Sequence, residues 1–295
     1  MTESLEFRCN ICGKRTRCEA SRLQREVASC DFCRSTVRLR SLIHQLALEM
    51  FHVPLALPDF PRLKSIRGIG MSDVGQYSEV LQEKFDYRNT FLDHAPRFDL
   101  MHPPESELGQ YDFVIVSDVL EHVPPPAETG FRNVYNLLKP GGVVILTVPY
   151  SIEDAGTIEH FSNLGDFSIT DVGGHPILVN RTPEGQLQVF DNLVFHLGVT
   201  RSLEMREFSE QGLNQLLAAA GFDEVRFHGE EYLEFGIQWN EPWALPMTLH
   251  KGRHCFEAAT IAELMGELVD AKAEVDRLAQ RRLYKLGGSW GLVRL

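Results

Sequence analysis

Four cysteines in two close pairs, Cys9-Asn-Ile-Cys12 and Cys30-Asp-Phe-Cys33, carry the clearest chemistry in this 295-residue chain. The intervening 17 residues let two knuckles bring four thiolates together in the tetrahedral all-sulfur set that structural zinc prefers. A site closed by four protein ligands leaves no open position for catalysis, so its expected role is structural or docking. Cys18 and the remote Cys255 are read as bystanders; the competing reading for the paired cysteines is reduced thiols packed in a core. No apolar leader follows Met1, which points to a cytoplasmic chain whose clustered cysteines bind metal rather than form disulfides.

A second set of reactive side chains consists of carboxylates next to histidines: Glu121-His122 in VLEHV and Glu159-His160. Histidine titrates near neutrality and suits proton removal from an attacking hydroxyl. His122 can equally cap a turn, and His160 can instead contact substrate or pack; His175 and His196 are weaker candidates. A third feature is the loop Gly68-Ile69-Gly70-Met71-Ser72-Asp73, in which glycines would let backbone amides approach a ligand at a helix N-terminus. It is a poor dinucleotide fingerprint, because Asp73 stands where the third glycine of GxGxxG belongs.

The elements that position these residues alternate. Strand-like LKSIRGIG (63–70) leads into helical QYSEVLQEKF (76–85) and the short strand YRNTFLD (87–93). The apolar runs YDFVIVSDV (111–119) and VVILTVP (143–149) suit strands buried on both faces, with a helix over 130–140 between them. After residues 150–205, helix 209–221, strand 222–229 and a last strand at 245–252 complete an α/β pattern. This predicts a doubly wound, mostly parallel sheet with helices on both sides. The stretch 150–205 is too long for a structureless loop and reads as a functional insertion containing a hairpin.

The order of these segments resembles the class I methyltransferases dependent on S-adenosylmethionine (SAM), of the type 11/23-like group, over roughly residues 62–252. SIRGIGMSD, YDFVIVSDVLEHVPPP and NLLKPGGVVILTVPY carry the resemblance. It implies a seven-stranded Rossmann-like sheet and a SAM site built from Gly68, Gly70, Ser72, Asp93, Ser117 and Asp118. Asp93 would grip the ribose diol, or else be a solvated turn residue; Asp99 is a lesser candidate on the adenine side. The chain departs from the family loop in lacking an acidic residue just before it and in carrying Ser72 at the third glycine. With a zinc ribbon in front and IEHFSNLGDF later, it looks like methyltransferases that accompany bacterial polysaccharide or glycosyltransferase systems.

Domain expectations follow: a zinc ribbon over 1–45, a linker over 46–61, the methyltransferase domain over 62–252 and a helix with tail over 253–295. The ribbon carries nine Arg and Lys against five acidic residues, whereas the whole chain has a net charge of −12. That balance argues against a large nucleic-acid footprint. No apolar run is long enough to span a membrane. Within 256–284, Ile261, Leu264, Leu268, Ala271, Val275 and Leu278 follow coiled-coil spacing, which fits dimerisation or partner docking as well as simple packing. The expected reaction is methyl transfer, at oxygen, to a small-molecule or glycan acceptor, with His160, His122 and Glu121 as catalytic candidates. RNA methylation through the basic ribbon and a non-catalytic scaffold are the alternatives.

Overall fold

The structure, a computed structural model, describes residues 4–153, 156–197 and 201–287. Its N-terminal part is a hairpin of β1 (Ser4–Arg8) and β2 (Arg15–Glu19), followed by helix α1 (Val37–Phe51). Thr36 caps α1 by accepting from the Leu39 amide, and the helix ends at His52 in a left-handed conformation. The expected linker over 46–61 is corrected here, because α1 runs straight through its first part. Leu39, Leu42, Ile43, Leu46, Ala47 and Met50 recur at helical spacing and are all buried. A turn at Leu57–Asp59 then tucks Leu57 and Phe60 into the same core.

The central domain runs β3 (Leu63–Met71), α2 (Gly75–Lys84), β4 (Phe85–Thr90), β5 (Tyr111–Ser117), α3 (Ala127–Leu137) and β6 (Leu138–Thr147). The next strands, β7 (Tyr150–Ser151), β8 (Ile158–Glu159), β9 (Asp166–Val172), β10 (His175–Arg181), β11 (Leu187–Phe190), β12 (Phe195–Leu197), β13 (Arg201–Leu203) and β14 (Arg206–Ser209), make up the insertion and its return. Helix α4 (Glu210–Ala220), β15 (Glu224–Phe227), β16 (Met247–Lys251) and α5 (Ala258–Gly287) complete the chain.

Six strands form the main sheet in the order β15-β16-β6-β5-β3-β4, and only β16 runs against the others. Alternation along each strand divides the core between two faces. Phe113, Ile115, Val143 and Ile145 pack with α1 and α2, while Val114, Val116, Val144 and Leu146 pack with α3 and α4. The sheet is therefore doubly wound, with six strands among the described residues rather than seven. The stretch after β4 makes a single bridge, Phe91 to Arg97. Its prolines, Pro96, Pro103 and Pro104, lack the amide hydrogens a further edge strand would need.

The insertion contains more β structure than one hairpin. β9, β10 and β11 form an antiparallel meander and β12 pairs with β13, while β14 lies between β7 and β8. At the far end, α5 is anchored by Glu263, which accepts from the Ser65 amide and hydroxyl. Beyond Leu264 its seam faces solvent, with Leu268 62% and Val275 64% exposed. The tail after Gly287 lies outside the described residues. No helix among them is long and apolar enough to cross a membrane.

Candidate functional site

The four paired cysteines converge. Their sulfurs all lie within 4.8 Å of one another, with Cys9 and Cys30 fully buried, and neither Cys18 nor Cys255 joins them. Cys9 approaches Cys33 at 3.6 Å and Cys12 approaches Cys30 at 3.8 Å. The hydrogen bond with Cys33, and then burial, push the Cys9 thiol up to about 12. Sulfurs this close resist ionising together unless a cation sits among them, and a tetrahedral thiophilic ion fits the donor set. The surroundings agree. Arg40 is fully buried, and its guanidinium donates to Ser29 Oγ, Ser35 O and Gly236 O. A fixed cation beside the sulfur cage complements the −2 charge of a four-thiolate site holding a divalent ion.

The turn after β3 departs from expectation. Gly68 and Gly70 lie inside the strand, hydrogen-bonded to β4 and β5 on either side, and not in the loop. Their lack of a side chain serves the chain's own packing. A Cβ on Gly68 would lie 2.2 Å from the Phe113 ring; on Gly70 it would meet the Asp73 carboxylate and the Tyr87 hydroxyl. The turn itself is Ser72–Val74, with Ser72 exposed and in a left-handed conformation (φ 60°). Asp73 is buried beneath it and accepts hydrogen bonds from the hydroxyls of Tyr77 and Tyr87. Asn89 clamps the Asp73 backbone through both its amide atoms. Burial raises the Asp73 carboxyl to about 6 despite those donors.

At the end of β5 stands the densest polar cluster. Asp118 takes a left-handed backbone (φ 52°) and receives a two-pronged bond from Arg25, at 2.7 and 3.0 Å. Thr147, the last residue of β6, donates to the same carboxylate, and Arg38 Nε lies 3.3 Å away. Arg38 also bonds Ser117 Oγ, and Glu26 holds Arg38 at 2.7 and 2.9 Å. Burial alone would raise the Asp118 carboxyl, but Arg25 and Arg38 outweigh it and hold it at about 2. Both arginines come from the cysteine-bearing segment. Asp118 was expected to face a ligand; its oxygens are instead saturated by the chain's own donors, so it anchors the segment to the sheet.

Glu121 follows one turn later. It is 1% exposed, and among the described residues neither carboxylate oxygen has a hydrogen-bond partner. Burial, then the nearby Asp118 charge, push its carboxyl well above the usual range, favouring the neutral form. A neutral acid donates a hydrogen bond but cannot serve as a base. His122 Nδ1 meets the Leu203 carbonyl at 2.8 Å, and His160 Nε2 meets Glu204 at 2.8 Å. The insertion brings these together: Met205 donates its amide to Glu121 O and accepts from the His160 amide. Fully buried Arg206 ties the turn down, bonding Glu159 and the carbonyls of Leu120 and Val123. Asp93 lies three residues past β4, its side chain 65% exposed and paired with His94. Asp99 accepts from the Met101 amide. His175 is exposed on the meander, and the His196 side chain lies outside the described ones.

Sequence reasoning missed Arg25, Arg38, Asp73, Tyr77, Tyr87 and Asn89. The arginines were visible only as part of a basic composition, which carries no information about their partners. A cavity of about 1240 Å³ lies between α1 and the strands β15 and β16, and its lining includes none of these residues. A smaller cleft of about 440 Å³ lies beside Arg25 and Glu26.

No curated protein sequence matches this chain. Solved structures similar to it include DesVI from Streptomyces venezuelae, at 11% identity, covering 72% of this chain and 89% of that one, with a TM-score of 0.39. A SAM-dependent methyltransferase from Clostridium acetobutylicum aligns at 12% identity over 72% of this chain and 98% of its own, with a TM-score of 0.37. SAM-bound CalS10, an amino pentose methyltransferase from Micromonospora echinaspora, aligns at 11% identity over 72% and 90%, with a TM-score of 0.39. The family model described as a methyltransferase domain matches residues 67–226, just over half of the chain.

Proposed function

The chain belongs to the methyltransferase domain family, and from that premise we propose that it transfers a methyl group from SAM to a hydroxyl of a small-molecule or carbohydrate acceptor, with a structural Zn²⁺ held by Cys9, Cys12, Cys30 and Cys33. The observation that carries this reading is the polar cluster of Asp118, Arg25, Arg38 and Glu26 at the carboxyl end of β5, the edge at which an open α/β sheet places its ligand. Three carboxylates there, on Glu26, Asp73 and Asp118, outnumber the two guanidiniums of Arg25 and Arg38. That excess suits a donor whose sulfonium and ammonium outnumber its carboxylate.

SAM supplies a methyl group already activated on sulfur, so the protein has to position and desolvate. The exposed turn at Ser72 offers backbone amides at the start of α2. Ser117 and Asp118 close the other side, and Asp93 is the first carboxylate beyond β4, assigned here to the ribose hydroxyls. Gly68 and Gly70 act one layer below, keeping β3 closely packed under the turn. Glu121, whose burial favours the neutral acid, is assigned the role of a hydrogen-bond donor. His160 is assigned the proton of the acceptor hydroxyl: with Glu204 at Nε2, the ring is oriented so that Nδ1 accepts. The inward course of Arg25, Arg38 and Arg40 takes three of the ribbon's nine cations out of any surface that RNA would meet.

Calorimetry with S-adenosylhomocysteine on zinc-loaded protein tests this reading, with binding expected in the micromolar range, about −8 kcal/mol. His160→Asn is expected to keep that affinity while lowering kcat about a hundredfold, the effect of losing a general base. A zinc-loaded, folded protein that binds neither SAM nor S-adenosylhomocysteine would leave the scaffold as the remaining reading.

A further inference from the structure

The cleft beside Arg25 has a definite address in the fold. One wall is Gln24–Val27 of the cysteine-bearing segment, another is 238–243, and Pro149, two residues past β6, closes a third side. Arg25 joins the cleft to the polar cluster at the end of β5: the guanidinium that lines the cleft also grips Asp118, which in turn accepts from Thr147 at the end of β6. Arg25 Nε donates to Ala244 O, and Asn240 donates to Leu23 O, so the two walls are tied to each other. In the order β6-β5-β3-β4, the Ser72 turn lies on the β3 side and the cleft on the β6 side of β5. A methyl donor at the turn and an acceptor in the cleft would thus meet over Ser117.

The lining chemistry is specific. Trp239 and Trp243, the two tryptophans among the described residues, both face the cleft, and Trp243 is 42% exposed. Indole faces provide broad, stiff apolar area with little entropy to lose, which suits stacking against the C–H face of a ring. Around them Gln238, Asn240 and Glu241 offer both donors and acceptors to hydroxyl groups. The one cation in the lining, Arg25, is already bonded to Asp118 and Glu26. A phosphate-bearing acceptor would therefore meet Glu26 and Glu241 with no uncommitted counter-charge among the described lining residues. The volume lies within the usual small-ligand range of ~300–1,000 Å³.

Resting on the methyltransferase reading above, we propose that this cleft is the acceptor site and that it takes an uncharged or amino-bearing sugar ring, stacked on Trp243 and Trp239, in preference to a sugar phosphate or nucleotide sugar. The cysteine-bearing segment then supplies one wall of the acceptor site, and metal binding governs acceptor recognition as well as folding.

The test titrates methyl glucoside, methyl mannoside and glucosamine, with glucose 6-phosphate as the charged comparison, into zinc-loaded full-length protein with and without S-adenosylhomocysteine. Tryptophan fluorescence and saturation-transfer NMR report binding. At least one uncharged or amino sugar is expected to bind saturably and more tightly than the phosphate. Trp243→Leu is expected to weaken that binding about tenfold, the equivalent of one lost stacking contact, with S-adenosylhomocysteine affinity within about twofold of the parent. Trp239→Phe, which keeps a smaller aromatic face at a half-buried position, should weaken it less. Absence of saturable sugar binding, tighter binding of the phosphate, or an unaltered Trp243→Leu titration would each overturn the assignment. Failure to bind S-adenosylhomocysteine while sugars still bind would instead strike the methyltransferase reading and leave the sugar site standing.

Discussion

Asp118→Ala is expected to destabilise the protein by about 3–5 kcal/mol, the cost of leaving buried charges without their partner. Arg25 and Arg38 are only 15% and 17% exposed at their side chains, and Asp118 ties them to the sheet. Urea denaturation measures the loss, and a change below about 1 kcal/mol would mean that the pairs are no better than surface ones. Arg25→Met added to Asp118→Ala should recover part of the loss, since the stranded charge is removed with its stem retained; the double-mutant cycle isolates that coupling.

The same carboxylate sets an acid limit. Its folded-state value of about 2 lies below the ordinary 3.8. The group therefore adds stability that is fully present above pH 4 and is lost as pH falls from about 4 towards 2. A shift of this size corresponds to roughly 2 kcal/mol. Asp73 has the opposite sign: raised to about 6, it penalises folding above that pH and ceases to do so as pH drops through 6 towards 4. Asp118→Asn is expected to flatten the stability profile between pH 4 and 2 and leave the Asp73 region unchanged.

Removing the metal should have the larger functional effect. Structural zinc contributes on the order of 10 kcal/mol of binding free energy to the folded state of small four-ligand modules. Here the buried cysteines share one continuous apolar cluster with α1 and the sheet, together with Phe7, Ile11, Leu23 and Phe113. Chelation, or Cys9→Ser with Cys30→Ser, should therefore lower Tm by ~10 °C or more, since each kcal/mol shifts a domain of this size by ~2–4 °C. Arg25 and Arg38 would lose their seats together, and S-adenosylhomocysteine affinity should fall at least about tenfold. Cys18→Ser and Cys255→Ser serve as controls expected to keep both properties. Metal-free protein, verified by elemental analysis, that melts within about 2 °C of the loaded form would refute the structural role.

Legibility from sequence followed the range of the interaction involved. The cysteine pairs were readable because ligand spacing within a knuckle is local and leaves few alternatives. Strands β5 and β6 were readable because burial on both faces produces uninterrupted apolar runs. Helix α1 runs into the expected linker because Pro54 and Pro58 signal an extended connection without marking where it begins, and the helical spacing of Leu39 through Met50 carries the helix up to it. Gly68 and Gly70 were assigned to the loop because a glycine needed for close packing inside a strand looks identical, in one dimension, to a glycine that admits a ligand.

By itself, the sequence determined the four-sulfur donor set, the alternation that winds the sheet and the length of the insertion. Tertiary structure alone decided which charges meet: Arg25 reaches Asp118 across 93 positions and Arg38 reaches Ser117 across 79. It also decided that Glu121 is sealed from water, which pushes its carboxyl towards the neutral form, and that the cysteine-bearing segment forms a wall beside the sheet's carboxyl edge. Periodicity and ligand spacing are properties of neighbouring residues, so they survive in a linear string. Charge pairing and desolvation depend on what packing brings together from distant parts of the chain.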